Sequence, residues 1–256
     1  MQGGGALLRL AKERATMMAN TTLALLTVLL WAAGGGQAAG QAPGAPPGFV
    51  SIFNGKDLSG WDGDPKLWAV KDGAIVGQTS SESPIGDNTF LIWTAGTVQD
   101  FELRVRFRLT NHNSGIQYRS RDLGLAAGKR ENWTVGGYQA DMDEANRYTG
   151  ILYEERGRGI IANVGQKVTV KAGGEKAAEQ AVDPQSVRAA ITTGAWNDYV
   201  IVCRGNRITH RINGLITADV TDEENDKRAL EGILAFQLHK GPAMKVEFKE
   251  ILLKAQ

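Results

Sequence analysis

Between Phe101 and Leu109 the chain alternates without a break: Phe101, Leu103, Val105, Phe107 and Leu109 are apolar, and Glu102, Arg104, Arg106 and Arg108 between them are charged. That period of two fits an extended strand, whose side chains point to opposite faces in turn; a helix would scatter the same apolar groups around its girth. A strand with one oily and one wet face belongs to an antiparallel sheet that covers a core on one side. Met244 to Lys254 repeats the pattern through Val246, Phe248 and Ile251. Between these two stretches, Tyr199 to Cys203, Arg207 to Ile212 and Leu215 to Val220 are separated by Gly205-Asn206 and Asn213-Gly214. Both dipeptides accept the positive φ angles of tight hairpin turns, so these segments predict a meander. Helix is scarce: Pro184 to Ala190 is the one convincing short candidate, and Glu175 to Ala181 is ambiguous. Many strands divided by turns, with no interleaved helices, predict an all-β sandwich or jelly roll of two antiparallel sheets in one domain.

The N-terminus reads as an address, not as fold. Arg9, Lys12 and Arg14 precede the apolar run Leu23 to Ala33, too short to span a bilayer, and small residues follow from Gly34 to Ala42. Residues 1–42 are therefore expected to be a secretory signal peptide and its cleavage region, with Met17 or Met18 as alternative starts. An uncleaved anchor is the competing reading. Residues 43–48 are a Pro/Gly linker, and the domain is expected over 49–256, in the periplasm or outside the cell. A net charge of +1, with Lys and Arg spread along the chain, leaves no footprint for nucleic acid and no polybasic membrane patch. The single cysteine, Cys203, sits in an apolar strand and has no intramolecular partner, so stability must come from the core.

Three stretches combine an apolar face with polar groups two residues apart. In Gly232 to Lys240, Leu234, Phe236 and Leu238 share one face, and Ala235, Gln237 and His239 share the other. Gln117 and Arg119 pair in the same way in Asn113 to Ser120, as do Gln139 and Asp141 in Tyr138 to Asp143. Three such strands side by side would line one concave sheet face. Trp93, Trp133, Tyr138 and Tyr148 are candidates for a sugar platform, whereas Trp61, Trp68 and Trp196 lie beside turns and fit the role of plugs. His112 and His210 read as structural or exposed. If the strand runs on through Glu154 and Glu155, only one of the two can face a cleft. Asp141, Asp143 and Glu144 with His239 offer carboxylate and imidazole ligands to a divalent metal, and a solvated turn is the alternative for Asp143 and Glu144.

An ordered set of motifs then carries a resemblance. Phe53-Asn54-Gly55-Lys56-Asp57-Leu58-Ser59-Gly60-Trp61, Trp68 to Ile75, Asn113-Ser114-Gly115-Ile116-Gln117-Tyr118-Arg119-Ser120, Gly137-Tyr138-Gln139-Ala140-Asp141, Tyr148-Thr149-Gly150, Tyr153-Glu154-Glu155-Arg156-Gly157, Trp196-Asn197-Asp198-Tyr199, Ile212-Asn213-Gly214 and Gln237-Leu238-His239 follow one another along the chain. Together, over Phe49 to Leu253, they resemble the 3-keto-disaccharide hydrolase domain family. The resemblance implies a concanavalin A-like jelly roll acting on carbohydrate, with cleavage of glycosides oxidised at C3. A C3 ketone acidifies the C2 proton, so a base can remove it and the enolate can expel the C1 substituent, after which water adds. The chemistry needs a base, an acid and a donor for the enolate oxygen. The expected assignments are His239, Asp141 and Glu154 as catalytic groups and Gln117, Arg119, Tyr138, Gln139, Gln237 and Lys240 as substrate-binding groups. The pair Asp141 and Glu154 would equally suit an ordinary two-carboxylate glycosidase. A non-catalytic, lectin-like sugar-binding domain is the alternative function on the same sandwich.

Overall fold

The computed structural model describes residues 45–256; the expected leader, and the first part of the linker, lie outside the described residues. Two large sheets face each other across one core. The larger runs in the order Lys176–Gln180, Gln166–Val170, Leu215–Asp222, Arg207–Ile212, Asn197–Arg204, Phe101–Thr110, Lys245–Ala255, Ala74–Gln78 and Trp68–Lys71, with Val50–Ser51 also pairing to Lys245–Ala255. The smaller runs Gly159–Ala162, Leu152–Glu155, Val135–Asp143, Asn113–Asp122, Ile233–Leu238, Thr89–Trp93 and Trp61–Asp62. Pairing is antiparallel throughout both sheets except between Gln166–Val170 and Leu215–Asp222. This is the expected all-β, jelly-roll sandwich.

Phe101–Thr110 shows why the fold closes. Its five apolar side chains are buried and its charged ones are half exposed, residue by residue, as the alternation requires. Between the sheets these groups meet Leu234, Phe236 and Leu238 from the opposite layer, and Phe236 stacks on Phe248 with ring centroids 3.9 Å apart. Full burial of each large apolar side chain contributes about 1.5–3 kcal/mol, so a single such row accounts for a large share of a domain's net stability. The meander is present: Arg204 pairs with Arg207 across Gly205-Asn206, and Ile212 with Leu215 across Asn213-Gly214, whose φ angles of 47° and 87° are those of a primed turn. Pro184–Ala190 is a short helix capped by Asp183, which accepts the backbone N–H groups of Gln185 and Ser186, while the ambiguous segment is the edge strand Lys176–Gln180. Trp61 and Trp68 are buried plugs, and Trp61 Nε1 donates to the Ile52 carbonyl.

The core is not wholly apolar. His210, fully buried, meets the Tyr118 hydroxyl at Nε2 (2.7 Å) and the Tyr199 hydroxyl at Nδ1 (3.5 Å). Burial drives its pKa down to about 3, so the ring is neutral, outweighing the hydrogen bonding from around Gly150 and Ile151 that favours the charged form.

Candidate functional site

The smaller sheet's outer face carries the site. Along Val135–Asp143, Tyr138, Ala140 and Met142 point into the core, which turns Gln139 and Asp141 outward. Pairing sets the neighbours: Gln139 stands opposite Gln117 on one side and Tyr153 on the other, while Asp141 stands opposite Gly115. The Gln139 side chain lies over Gly115 so closely that a β-carbon at residue 115 would overlap it. From there Gln139 Nε2 donates to Asp141 Oδ1 (2.6 Å), Gln139 Oε1 accepts from Gln117 Nε2 (2.6 Å), and Gln117 Oε1 accepts from the Ser120 hydroxyl (2.6 Å). Asn113 Nδ2 approaches the other Asp141 oxygen at 3.3 Å. These bonds fix a carboxyl that is only 7% exposed. Loss of hydration outweighs the amide donors and raises its pKa to about 7, so it exchanges a proton near neutrality.

Above this floor is a cleft of about 530 Å³, lined among others by Asn88, Tyr148, Tyr153, Glu155 and His239. Tyr148, Ile151, Tyr153 and Ile160 form an apolar wall, with Tyr148 40% exposed, a surface suited to the C–H face of a sugar ring. On the opposite side His239 follows Ile233–Leu238. Its Nδ1 lies 2.6 Å from the Lys240 carbonyl and 3.0 Å from His112 Nε2, and the two rings meet edge to face at 4.7 Å. Among the described residues Nε2 of His239 has no hydrogen-bond partner. Partial burial lowers its pKa, outweighing the Lys240 carbonyl that favours the charged form, so the ring is neutral and basic at neutral pH. Glu155, half-buried, has its pKa raised chiefly by desolvation and sits 3.3 Å from Asn88 Nδ2 and 3.5 Å from Gln237 Nε2.

Of the nine residues expected at the site, four line the cleft: His239, Asp141, Gln139 and Lys240. Gln117 and Gln237 lie on the right face but fully buried beneath it, where they brace Gln139 and Glu155 and touch no open space. Three expectations are corrected. Tyr138 is a strand neighbour of Gln139 and so faces the core, its hydroxyl donating to Asp222 Oδ2. Glu154 pairs with Tyr138 and shares that inward side, where Arg158 binds it together with Asp222 and Glu224. Its neighbour Glu155 is the one that reaches the cleft. Arg119 has φ of +47°, which bulges the strand and resets the alternation, so that Ser120 and not Arg119 joins Gln117 outside. The Arg119 guanidinium instead holds the carbonyls of Gln99 and Gly205 and the carboxylate of Asp100. The platform candidates divide: Tyr148 lines the cleft, whereas Trp133 packs beside Phe90, Ile92 and Val135 with its Nε1 donating to Asp62. Among the described residues no three His, Cys, Asp or Glu side chains converge as a metal set. Asp143 serves its own turn, accepting the N–H groups of Tyr148 and Thr149. Sequence reasoning missed Asn88, Tyr153 and the contact of His112 with His239, and of the two adjacent glutamates it assigned Glu154 where Glu155 faces the cleft; Asn88 and the histidine contact come from loops remote in the chain and leave no pattern.

A jelly-roll sandwich with a polar floor, an aromatic wall and ionisable groups in one sugar-sized cleft defines a carbohydrate-active class of domain. The chain belongs to the 3-keto-alpha-glucoside-1,2-lyase-like domain family, whose pattern it matches over residues 48–254. A 3-keto-disaccharide hydrolase of Bacteroides thetaiotaomicron is 33% identical over 91 residues, a match spanning 32% of this chain and 31% of that protein. Among solved structures, a putative glycosyl hydrolase from Parabacteroides distasonis superimposes with a TM-score of 0.52 at 14% identity, covering 81% of this chain and 99% of the other. The carbohydrate binding module CBM66 from Bacillus subtilis does so with 0.50 at 13%, covering 78% and 98%. These likenesses show a shared fold.

Proposed function

We propose that the domain cleaves the glycosidic bond of a 3-keto-glycoside by acid–base chemistry in this cleft. The observation that carries the reading is the meeting of a neutral, basic imidazole, His239, and a carboxyl that holds its proton near neutrality, Asp141, on the lining of one cleft. His239 takes the C2 proton through its unpartnered Nε2. The electron pair moves into the C2–C3 bond and onto the ketone oxygen, for which the amides of Asn88 and Asn113 serve as neutral donors from the cleft lining. Collapse of the enolate then breaks the C1–O bond, and Asp141 returns a proton to the departing oxygen. Water adding across the new C1–C2 double bond completes hydrolysis; release before that step makes the reaction an elimination. Gln139 and, beneath it, Gln117 hold the Asp141 carboxyl in place.

The likeness to a carbohydrate binding module, together with the Tyr148 and Tyr153 wall, supports a second reading, sugar binding without turnover. Incubating the purified domain with 3-keto-glucosides and their unoxidised parents, with and without a chelator, separates the two. Cleavage confined to the oxidised sugars is expected. Binding of both sugar types with no product from either would leave only the binding module. We place the protein outside the cytoplasm on the strength of residues 1–42. A mature chain shortened by about 38–42 residues in the periplasmic or secreted fraction is expected, and full-length chain in the cytoplasm would oppose this.

A further inference from the structure

The rim of the cleft carries a charge arrangement that the proposed chemistry does not use. Asp87, in the segment leading to Thr89–Trp93, reaches between Arg156, in the turn after Leu152–Glu155, and Lys240, just beyond Ile233–Leu238. Arg156 Nη2 donates to Asp87 Oδ2, and Lys240 Nζ lies 3.8 Å from Oδ1. Each oxygen of one carboxylate therefore faces one cation. The three side chains are 39–55% exposed, so water screens the ion pairs and the carboxylate is held weakly enough to exchange. At the rim two cations face one exposed carboxylate, and the next acidic group is the half-buried Glu155 beneath them, whose pKa is raised chiefly by desolvation. Below the rim, the floor offers amides and the Asp141 carboxyl, and the far wall is aromatic and aliphatic.

From this we infer that Arg156 and Lys240 form an anion subsite, filled by Asp87 in the free protein, that accepts a carboxylate carried by the sugar, so that the preferred substrates are glycosides containing a uronic acid. The inference rests on the glycoside-cleaving reading of the same cleft. Asp87 supplies the geometric argument, since a carboxylate of this chain already occupies the position with one oxygen towards each cation. A guanidinium beside an ammonium suits such a planar, two-oxygen anion. Lys240 directly follows His239, so a sugar carboxylate bound here places the ring beside the proposed base.

The test compares an aryl 3-keto-glucoside with the matching 3-keto-glucuronide on the wild-type domain and on Asp87→Ala, Asp87→Asn, Arg156→Gln and Lys240→Met. Binding of glucose and of glucuronate is measured in parallel by calorimetry. The two Asp87 variants guard against disturbance of the loop, since Asp87 also accepts the Asn88 N–H, and melting temperatures confirm folding. In kcat/KM the glucuronide is expected to be favoured by roughly fivefold or more at low salt. Removing the Asp87 charge should widen that ratio, removing either cation should collapse it, and added salt should narrow it. A ratio that none of the four substitutions moves overturns the subsite. If neither glycoside is cleaved but glucuronate still binds more tightly than glucose through Arg156 and Lys240, the cleavage reading falls and the subsite stands. If both are cleaved equally in every variant, cleavage stands and the subsite falls; neither cleavage nor preferential glucuronate binding removes both.

Discussion

His239 and Asp141 carry the chemistry and are embedded differently. The His239 ring is partly exposed at the cleft, so His239→Ala should change the melting temperature little and lower turnover of a 3-keto-glucoside by about a hundredfold or more, the scale of losing a positioned proton-transfer group. Asp141→Asn should lose a comparable factor, and the double variant should lose little beyond either alone if both serve one step. Steady-state kinetics on the three variants decide this. With Asp141 acting as the acid, kcat/KM should fall as pH rises through about 7. The adjacent glutamates give a sharper contrast. Glu154→Ala strips a carboxylate from the Arg158 cluster, which keeps Asp222 and Glu224, so it should cost about 1–3 kcal/mol of stability and leave kcat near its original value. Glu155→Ala removes a group from the cleft lining instead, so it should leave the melting temperature near its original value and raise KM. Thermal melts and rates on the two variants would expose a misplaced strand face, because a one-residue slip exchanges the two outcomes.

Strands decide which residues the sequence reveals. Where alternation is unbroken, as in Phe101–Thr110 and Ile233–Leu238, the inward and outward sets are readable, and with them the outward placement of Gln237 and the approach of His239 to the cleft. Asn113–Asp122 breaks the rule at a non-glycine residue in left-handed conformation, which nothing in Gln-Tyr-Arg-Ser announces, so simple alternation puts Arg119 on the wrong face. Glu154 and Glu155 were undecidable until pairing to Gly137 and Tyr138 supplied the register. Pairing on the other edge of Val135–Asp143, which sets Gly115 opposite Asp141, makes Gly115 a site residue with no chemistry of its own. Gly115→Ala should push the Gln139 side chain away from Asp141, costing about 1–3 kcal/mol in overpacking and lowering turnover. Once Gln139 is already alanine, the added methyl should have almost no further effect, and a double-mutant cycle measures that coupling.

At the scale of the whole domain, two buried groups pull stability in opposite directions with pH. His210 has a folded pKa of about 3, below its ordinary 6.5, so its contribution is complete above 6.5 and is lost as pH falls towards 3. Asp141 has a folded pKa of about 7, above its ordinary 3.8, so its contribution is complete below 3.8 and is lost as pH rises to 7. Between about pH 4 and 6.5 the unfolded chain gains a proton on one group where the folded chain keeps one on the other, and the two slopes offset. Asp141→Asn should therefore uncover a loss of up to about 1.4 kcal/mol per pH unit on acidification from His210, with His239 adding in the same sense and the raised Glu155 opposing it. Urea titrations at a series of pH values test this; a flat profile in the variant would show that His210 is not held neutral. The sandwich itself was legible because periodicity and turn dipeptides are local. The interior His210–Tyr118–Tyr199 contact was not, since it joins strands of both sheets. The first and last strands of the domain, Val50–Ser51 and Lys245–Ala255, lie side by side in the larger sheet, while the cleft opens from the outer face of the smaller one. The domain is thus mounted from behind, and immobilising it through its C-terminal strand should leave sugar uptake at the cleft unchanged.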